Sequence, residues 1–143
     1  MNQTFCTISS YSFMPYVLSL HDSLKQFNPD IHLHVMISDP VSDEDLKRYH
    51  KDNLFVTSYQ VLCEDGMGKA ICDKYAQQDQ NLFRWAMKSV LTRYLLNTYD
   101  KVICADCDLN FFSDYQFLFD KLDTASVLLT PHMRCSDPTI DPH

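Results

Sequence analysis

The chain has 143 residues, 45% hydrophobic and 22% charged, which suits one domain with its own core, here taken as 1–143, and excludes a disordered polyelectrolyte. A formal net charge of -7 excludes a general phosphate-backbone binder, which needs a clustered excess of Lys and Arg, so no nucleic-acid partner is expected. No apolar run nears bilayer-spanning length and "MNQTFCTISSYSF" lacks the regions of a signal peptide, so no integral membrane segment and a cytoplasmic placement are expected.

In chain order, strands alternate with helices. "QTFCTIS" reads as a strand, and "SFMPYVLSLHDSLKQF" as a helix with apolar residues at Phe13, Tyr16, Val17, Leu20, Leu24 and Phe27. Ser12 suits its N-cap, Pro15 its first turn, and Asn28-Pro29 its stop. "IHLHVMIS" is a second strand, closed by Asp39-Pro40, and "VSDEDLKRYH" a helix with Ser42 and Asp45 in capping-box spacing. "NLFVTSYQV" is a third strand, followed by "CEDGMGKAICDKYAQQDQ", which shows no clear period. "NLFRWAMKSVLTRYLLNTY" gives the strongest helix, with Leu82, Phe83, Ala86, Met87, Val90, Leu91, Tyr94 and Leu95 on one arc. "KVICAD" is a fourth strand, "DYQFLFDKL" a short helix and "ASVLLTPH" a fifth strand. This alternation predicts an α/β domain, Rossmann-like, with a mainly parallel sheet, helices on both faces and function at the carboxyl ends of the strands.

The fourth strand ends in "CADCD", where a CxxC and a DxD overlap between Cys104 and Asp108. A redox CxxC opens a helix, whose N–H groups stabilise the thiolate, but Cys104 lies inside a strand and "DLNFF" starts no helix. A zinc site needs a second ligand pair; Cys135 and His132 are the nearest candidates, with no partner pair beyond them. The six cysteines (Cys6, Cys63, Cys72, Cys104, Cys107, Cys135) are read as reduced thiols, mostly packed as small apolar residues. Asp106 and Asp108 have period-two spacing, which puts both carboxylates on one side of an extended segment leaving the sheet. Two hard oxygen ligands there suit Mg²⁺ or Mn²⁺ that keeps other positions for water and phosphate. The alternative is a solvated acidic turn. "GMGK" is no Walker loop, because Ala70 rather than Ser or Thr follows Lys69.

The segment "YDKVICADCDLNFFSDYQFLFDKL" resembles the core of nucleotide-sugar glycosyltransferases of the GT-A fold: an apolar strand, DxD, a short apolar strand, a small helix. "FCTISSYSFMPYVLSLHDSLKQFNPDIHLHVMISD" is similar to the opening βαβ of the same group, particularly family 8-type transferases, and "FRWAMKSVLTRYLL" to the helix with a donor-facing basic residue. The resemblance implies a metal-dependent transferase acting on a nucleoside-diphosphate sugar, with UDP favoured, and a glycan, lipid or protein acceptor. It implies that Asp108 holds the cation and that Asp106 shares it or contacts the ribose. Thr7, Ser9 and Tyr11 match the nucleotide cradle, Asp39 a contact to the base or a turn cap, and Lys88, with Arg84, the basic position near the diphosphate. It covers only the donor-binding half, so the acceptor portion and a downstream metal-binding His are expected to be missing, and His132 is not assumed to replace that ligand. Other readings are a nucleotide-sugar-binding domain without turnover and a haloacid-dehalogenase-like phosphatase, the latter disfavoured because its motif belongs near the N-terminus.

Overall fold

The computed structural model describes residues 2–64 and 66–130. Strand β1 (Gln3–Ser9) pairs in parallel with β2 (His32–Ile37) on one side and β4 (Lys101–Cys104) on the other. Strand β3 (Leu54–Ser58) pairs in parallel with β2, so the sheet has the order β3-β2-β1-β4. Parallel strands need helical crossovers and cover on both faces, and the alternation of side chains supplies two apolar faces.

On one face Phe5, Leu33, Val35, Ile37, Leu54 and Val56 pack against α1 (Met14–Lys25), α2 (Asp43–Lys47) and α5 (Gln116–Lys121). On the other, Cys6, Ile8 and Met36 meet α4 (Gln80–Leu95), with α3 (Gly66–Tyr75) beside it. Each fully buried Leu or Phe contributes about 1.5–3 kcal/mol relative to exposure, so the two layers carry most of the stability against chain entropy.

Local chemistry sets the boundaries. A 3-10 turn over Tyr11–Phe13 precedes α1, so Ser10, not Ser12, is the extended residue before the first turn, while Pro15 sits at the start of α1 as expected. At α2 Ser42 caps the helix, its Oγ accepting from the Asp45 N–H at 3.2 Å; the return bond of a capping box is replaced by the Ser42 hydroxyl donating to Asp45 Oδ2 at 2.8 Å. Asp79 caps α4, its Oδ1 accepting from the Asn81 and Leu82 N–H groups. The apolar arc of α4 is narrower than its sequence suggests. Phe83, Met87, Val90, Leu91 and Leu95 are buried, but Leu82 and Tyr94 face solvent.

The polar, glycine-containing stretch after β3 contains α3, whose Gly68 lies so close to the 3-10 turn over Tyr59–Leu62 that a Cβ would meet the Leu62 carbonyl oxygen. Two expectations are corrected. Cys63 and Cys72 are bonded, with Cα atoms 6.0 Å apart, so this pair is not reduced; Cys6, Cys104 and Cys107 are free, and Cys135 lies outside the described residues. Residues 125–130 form no strand, and Pro131 and His132, the end of that expected strand, lie outside the described residues. Val127 and Leu129 are 70% and 86% exposed, so the apolar run has no face to bury; it lines a groove of about 600 Å³ beside β4. Lys101 fixes this side of the fold, donating to the Phe119 carbonyl at 2.8 Å near the C-terminus of α5 and pairing with Asp123 at 2.6 Å.

On the α4 face, His32 Nδ1 and His34 Nε2 lie 2.7 and 2.9 Å from Tyr99 Oη, and the His34 ring stacks on Phe55. Burial, and then the charge of His32, push the His34 pKa down to about 4 from 6.5. Burial also lowers His21, whose two ring nitrogens have no hydrogen-bond partner among the described residues. A histidine depressed in the fold binds its proton more readily when unfolded, so this part of the stability is full above about pH 6.5 and falls as the pH drops towards about 4. Denaturant midpoints measured across that window should decline with acid, and His34→Leu should flatten the slope; equal slopes would contradict this account.

Candidate functional site

The carboxyl ends of β1, β2 and β4 open on the same edge of the sheet. The ladder between β1 and β2 extends one step, with the Ser38 N–H donating to the Ser9 carbonyl at 2.9 Å, and Asp39 follows at the mouth of the crevice. Asp39 Oδ2 accepts the Tyr11 N–H at 2.5 Å, tying the loop after β1 to the loop after β2. From α4, Arg84 Nε donates to Ser38 Oγ at 2.9 Å and Nη1 to Asn81 Oδ1 at 3.2 Å, while Nη2 stands 3.8 Å from Asp39 Oδ1. One turn further, Lys88 Nζ donates to Asp106 Oδ1 at 2.5 Å. Positions 81, 84 and 88 recur at helical spacing, so α4 buries Phe83 and Met87 while presenting two cations to the crevice.

Two cations of α4 are thus paired separately with two carboxylates, one after β2 and one after β4. Burial alone would lower the Lys88 pKa, but the hydrogen bond and charge of Asp106 carry it above its ordinary value, so Lys88 is an ammonium. Beneath it the Cys6 thiol is pushed up, chiefly by its hydrogen bond to Cys104 and by burial; the same bond lowers Cys104, with the charge of Lys88 adding to it. Burial raises the Cys107 thiol.

The residues expected from the sequence divide clearly. Asp39, Arg84, Lys88 and Asp106 meet at the crevice with Ser9 at its base. Thr7 is fully buried within β1, its hydroxyl without a partner among the described residues, so it lies beneath the crevice rather than in it. Ser9 is also buried, and its hydroxyl donates to the Ser10 carbonyl. The Tyr11 ring packs edge-on against Tyr49, 5.7 Å between centroids, so its backbone N–H is the part engaged at the crevice. The segment carrying Asp106 and Asp108 is not extended. The Asp106 carbonyl accepts from the Leu109 N–H at 3.2 Å, making a turn with Cys107 and Asp108 at its corners. A turn replaces the extended exit because the following chain bends towards α1, where the Phe111 N–H donates to Ser23 Oγ and the Phe111 ring packs on Phe5 and Tyr115. For the same reason the short apolar strand expected after the motif does not form. Asp108 is exposed at the turn.

Ser38 and Asn81 were not expected from the sequence. The signals for them were faint: Ser38 adjoins Asp39, and Asn81 precedes Arg84 by three positions on one helix face.

Asp106 and Asp108 are hard oxygen donors of the kind Mg²⁺ or Mn²⁺ takes, but the turn no longer puts them on one side of an extended segment and Asp106 is held by Lys88, so they do not make a closed protein site. Among the described residues no group of three or more His, Cys, Asp or Glu side chains could hold a metal. A cavity of about 600 Å³ lies elsewhere, in the groove beside β4. Near the crevice a smaller cavity of about 170 Å³ is bounded by Ser38, Pro40, Tyr59 and Phe83, and with Arg84 fixed on Ser38 it is the better-placed recess for a ligand of this edge.

No protein-family model matches the chain, and neither does any curated protein. Among the described residues no helix is long and apolar enough to cross a membrane.

If Asp39 is the clasp between the two loops, Asp39→Ala should cost about 1.5–3 kcal/mol, the range for a hydrogen bond to a charged group, and should speed hydrogen exchange of the Tyr11 amide. Unchanged exchange at Tyr11 would contradict that role.

Proposed function

We propose that the crevice binds a nucleoside-diphosphate sugar, with UDP the favoured nucleotide, and that the chain is the donor-binding part of a metal-dependent glycosyltransferase of the GT-A type. The observation that carries this reading is the pairing of α4 cations with the carboxylates after β2 and β4, at the carboxyl edge of an all-parallel sheet. Open α/β sheets bind ligands at that edge. In a chain of net charge -7, Arg84 and Lys88 are the two cations that α4 brings to this edge, each paired with one carboxylate that an anionic ligand would displace.

The chemistry follows from the contacts. Lys88 exchanges Asp106 for a diphosphate oxygen, which frees the Asp106 carboxylate and places positive charge where the leaving group gains negative charge. Arg84, braced by Ser38 and Asn81, fixes the second basic position. A Mn²⁺ or Mg²⁺ ion held by Asp106 and Asp108 would supply further neutralisation of the diphosphate. The acceptor is a glycan, lipid or protein, and its recognition lies outside these contacts.

Binding without turnover is the second reading. It is favoured by the Lys88–Asp106 pair and by the two-carboxylate donor set. A cytoplasmic placement remains the proposal drawn from the sequence, although the Cys63–Cys72 bond weighs against it because cytosolic thiols are kept reduced.

Calorimetry with Mn²⁺ and UDP tests the assignment. The wild type should bind UDP in a manganese-dependent manner, and Asp108→Asn should lose that dependence while keeping its fold; equal manganese-dependent affinity in both would overturn the assignment. Release of UDP from UDP-sugars, with and without candidate acceptors, then separates transfer from binding alone.

A further inference from the structure

Cys6 and Cys104 stand opposite one another on adjacent parallel strands. Both belong to the face that α4 covers: Cys6 Sγ is 3.9 Å from Thr92 Oγ1, and Thr92 and Cys104 line the same groove. Neighbouring strands lie about 4.8 Å apart, within the roughly 4.4–6.8 Å of Cα separation that a disulfide spans. Access divides the two thiols. Cys6 is fully buried, whereas Cys104 is exposed at the groove beside β4. Cys107 packs towards the α1 face instead, so the CxxC spacing does not describe the thiol pair that the fold assembles.

We propose that Cys6 and Cys104 are a reversible thiol–disulfide pair, oxidised through Cys104 by a small disulfide such as glutathione disulfide. The Cys104 thiolate attacks one sulfur of glutathione disulfide, its S–S bond breaks, and one glutathione leaves as a thiolate. Cys6 Sγ, buried against Cys104, then attacks Cys104 Sγ; the mixed disulfide breaks and the second glutathione leaves, taking up the Cys6 proton as it departs. Two protein thiols and one glutathione disulfide become one protein disulfide and two glutathiones. Once formed, the bond is reopened from the groove side, where a glutathione thiolate reaches the exposed Cys104 Sγ. The pair lies two residues before Asp106, and it does not depend on the proposed donor chemistry.

The test incubates the full chain in graded mixtures of glutathione and glutathione disulfide, alkylates the remaining thiols and maps peptides by mass spectrometry. Oxidation should yield a Cys6–Cys104 linked peptide that disappears on return to glutathione, while the Cys63–Cys72 link is accounted for separately. Cys6→Ser should leave glutathione attached to Cys104. Cys104→Ser, at an exposed position, should leave Cys6 unmodified at every ratio, and it carries the test if the core variant fails to fold. A Cys104–Cys107 link, glutathione persisting on wild-type Cys104 without a link to Cys6, or an unreacted Cys104 would each overturn the proposal.

Discussion

The position of β1 between two parallel neighbours is the constraint on which the rest of the structure depends. Every residue from Thr4 to Ser9 is buried, because β2 and β4 close its edges and helices close both faces. Parallel pairing requires each connection to return across the sheet, and it brings the ends of β1, β2 and β4 to one edge. The loop residues that follow those ends need share no sequence proximity: Tyr11, Asp39 and Asp106 are neighbours of the crevice because of strand direction alone. Stability and site formation therefore have one origin, and loss of the β1–β4 ladder would remove Asp106 from the reach of Lys88.

Two lysines in ion pairs show how burial separates structure from function. Lys101 is 8% exposed and serves both the Phe119 carbonyl and the half-exposed Asp123, so removing it would leave the buried Phe119 carbonyl without that partner. Lys88 and Asp106 are 36% and 60% exposed, and pairs of that kind contribute only about 0–1 kcal/mol. Such a pair is easily exchanged. In the proposed reading, a diphosphate with two charged oxygens would displace the single carboxylate at little cost. Arg84 differs again, since three neighbouring groups orient its guanidinium before any ligand arrives.

Much of the α/β framework was legible in the sequence because apolar strands and amphipathic helices with strong caps announce themselves locally. The four strands, α1, the Ser42 cap of α2, α4 and α5 follow from such patterns. Helix α3 was hidden because its contact is made through Gly68 against a backbone carbonyl, leaving little apolar periodicity to read. The apolar run after α5 misled in the opposite direction, since a strand needs a partner ladder as well as β-forming residues. Near the crevice, Asp106 and Asp108 stood out by residue type and spacing, whereas Asp39, Arg84 and Lys88 were singled out only through the resemblance. The turn at Asp106–Leu109 was not, because it is set by Phe111 docking on Phe5 and Tyr115, a contact distant in sequence. The burial of Thr7 and the thiol pair across β1 and β4 likewise depend on register, which no local pattern reveals.

Paramagnetic broadening by Mn²⁺ in the presence of UDP, followed amide by amide in nuclear magnetic resonance spectra, tests the central claim most directly. The account predicts that signals of Asp106 to Asn110 broaden first, with Lys88, Tyr11 and Asp39 affected next, and that UDP sharpens this distribution around the crevice. Broadening centred elsewhere on the fold, or spread over exposed carboxylates with no response to UDP, would contradict it.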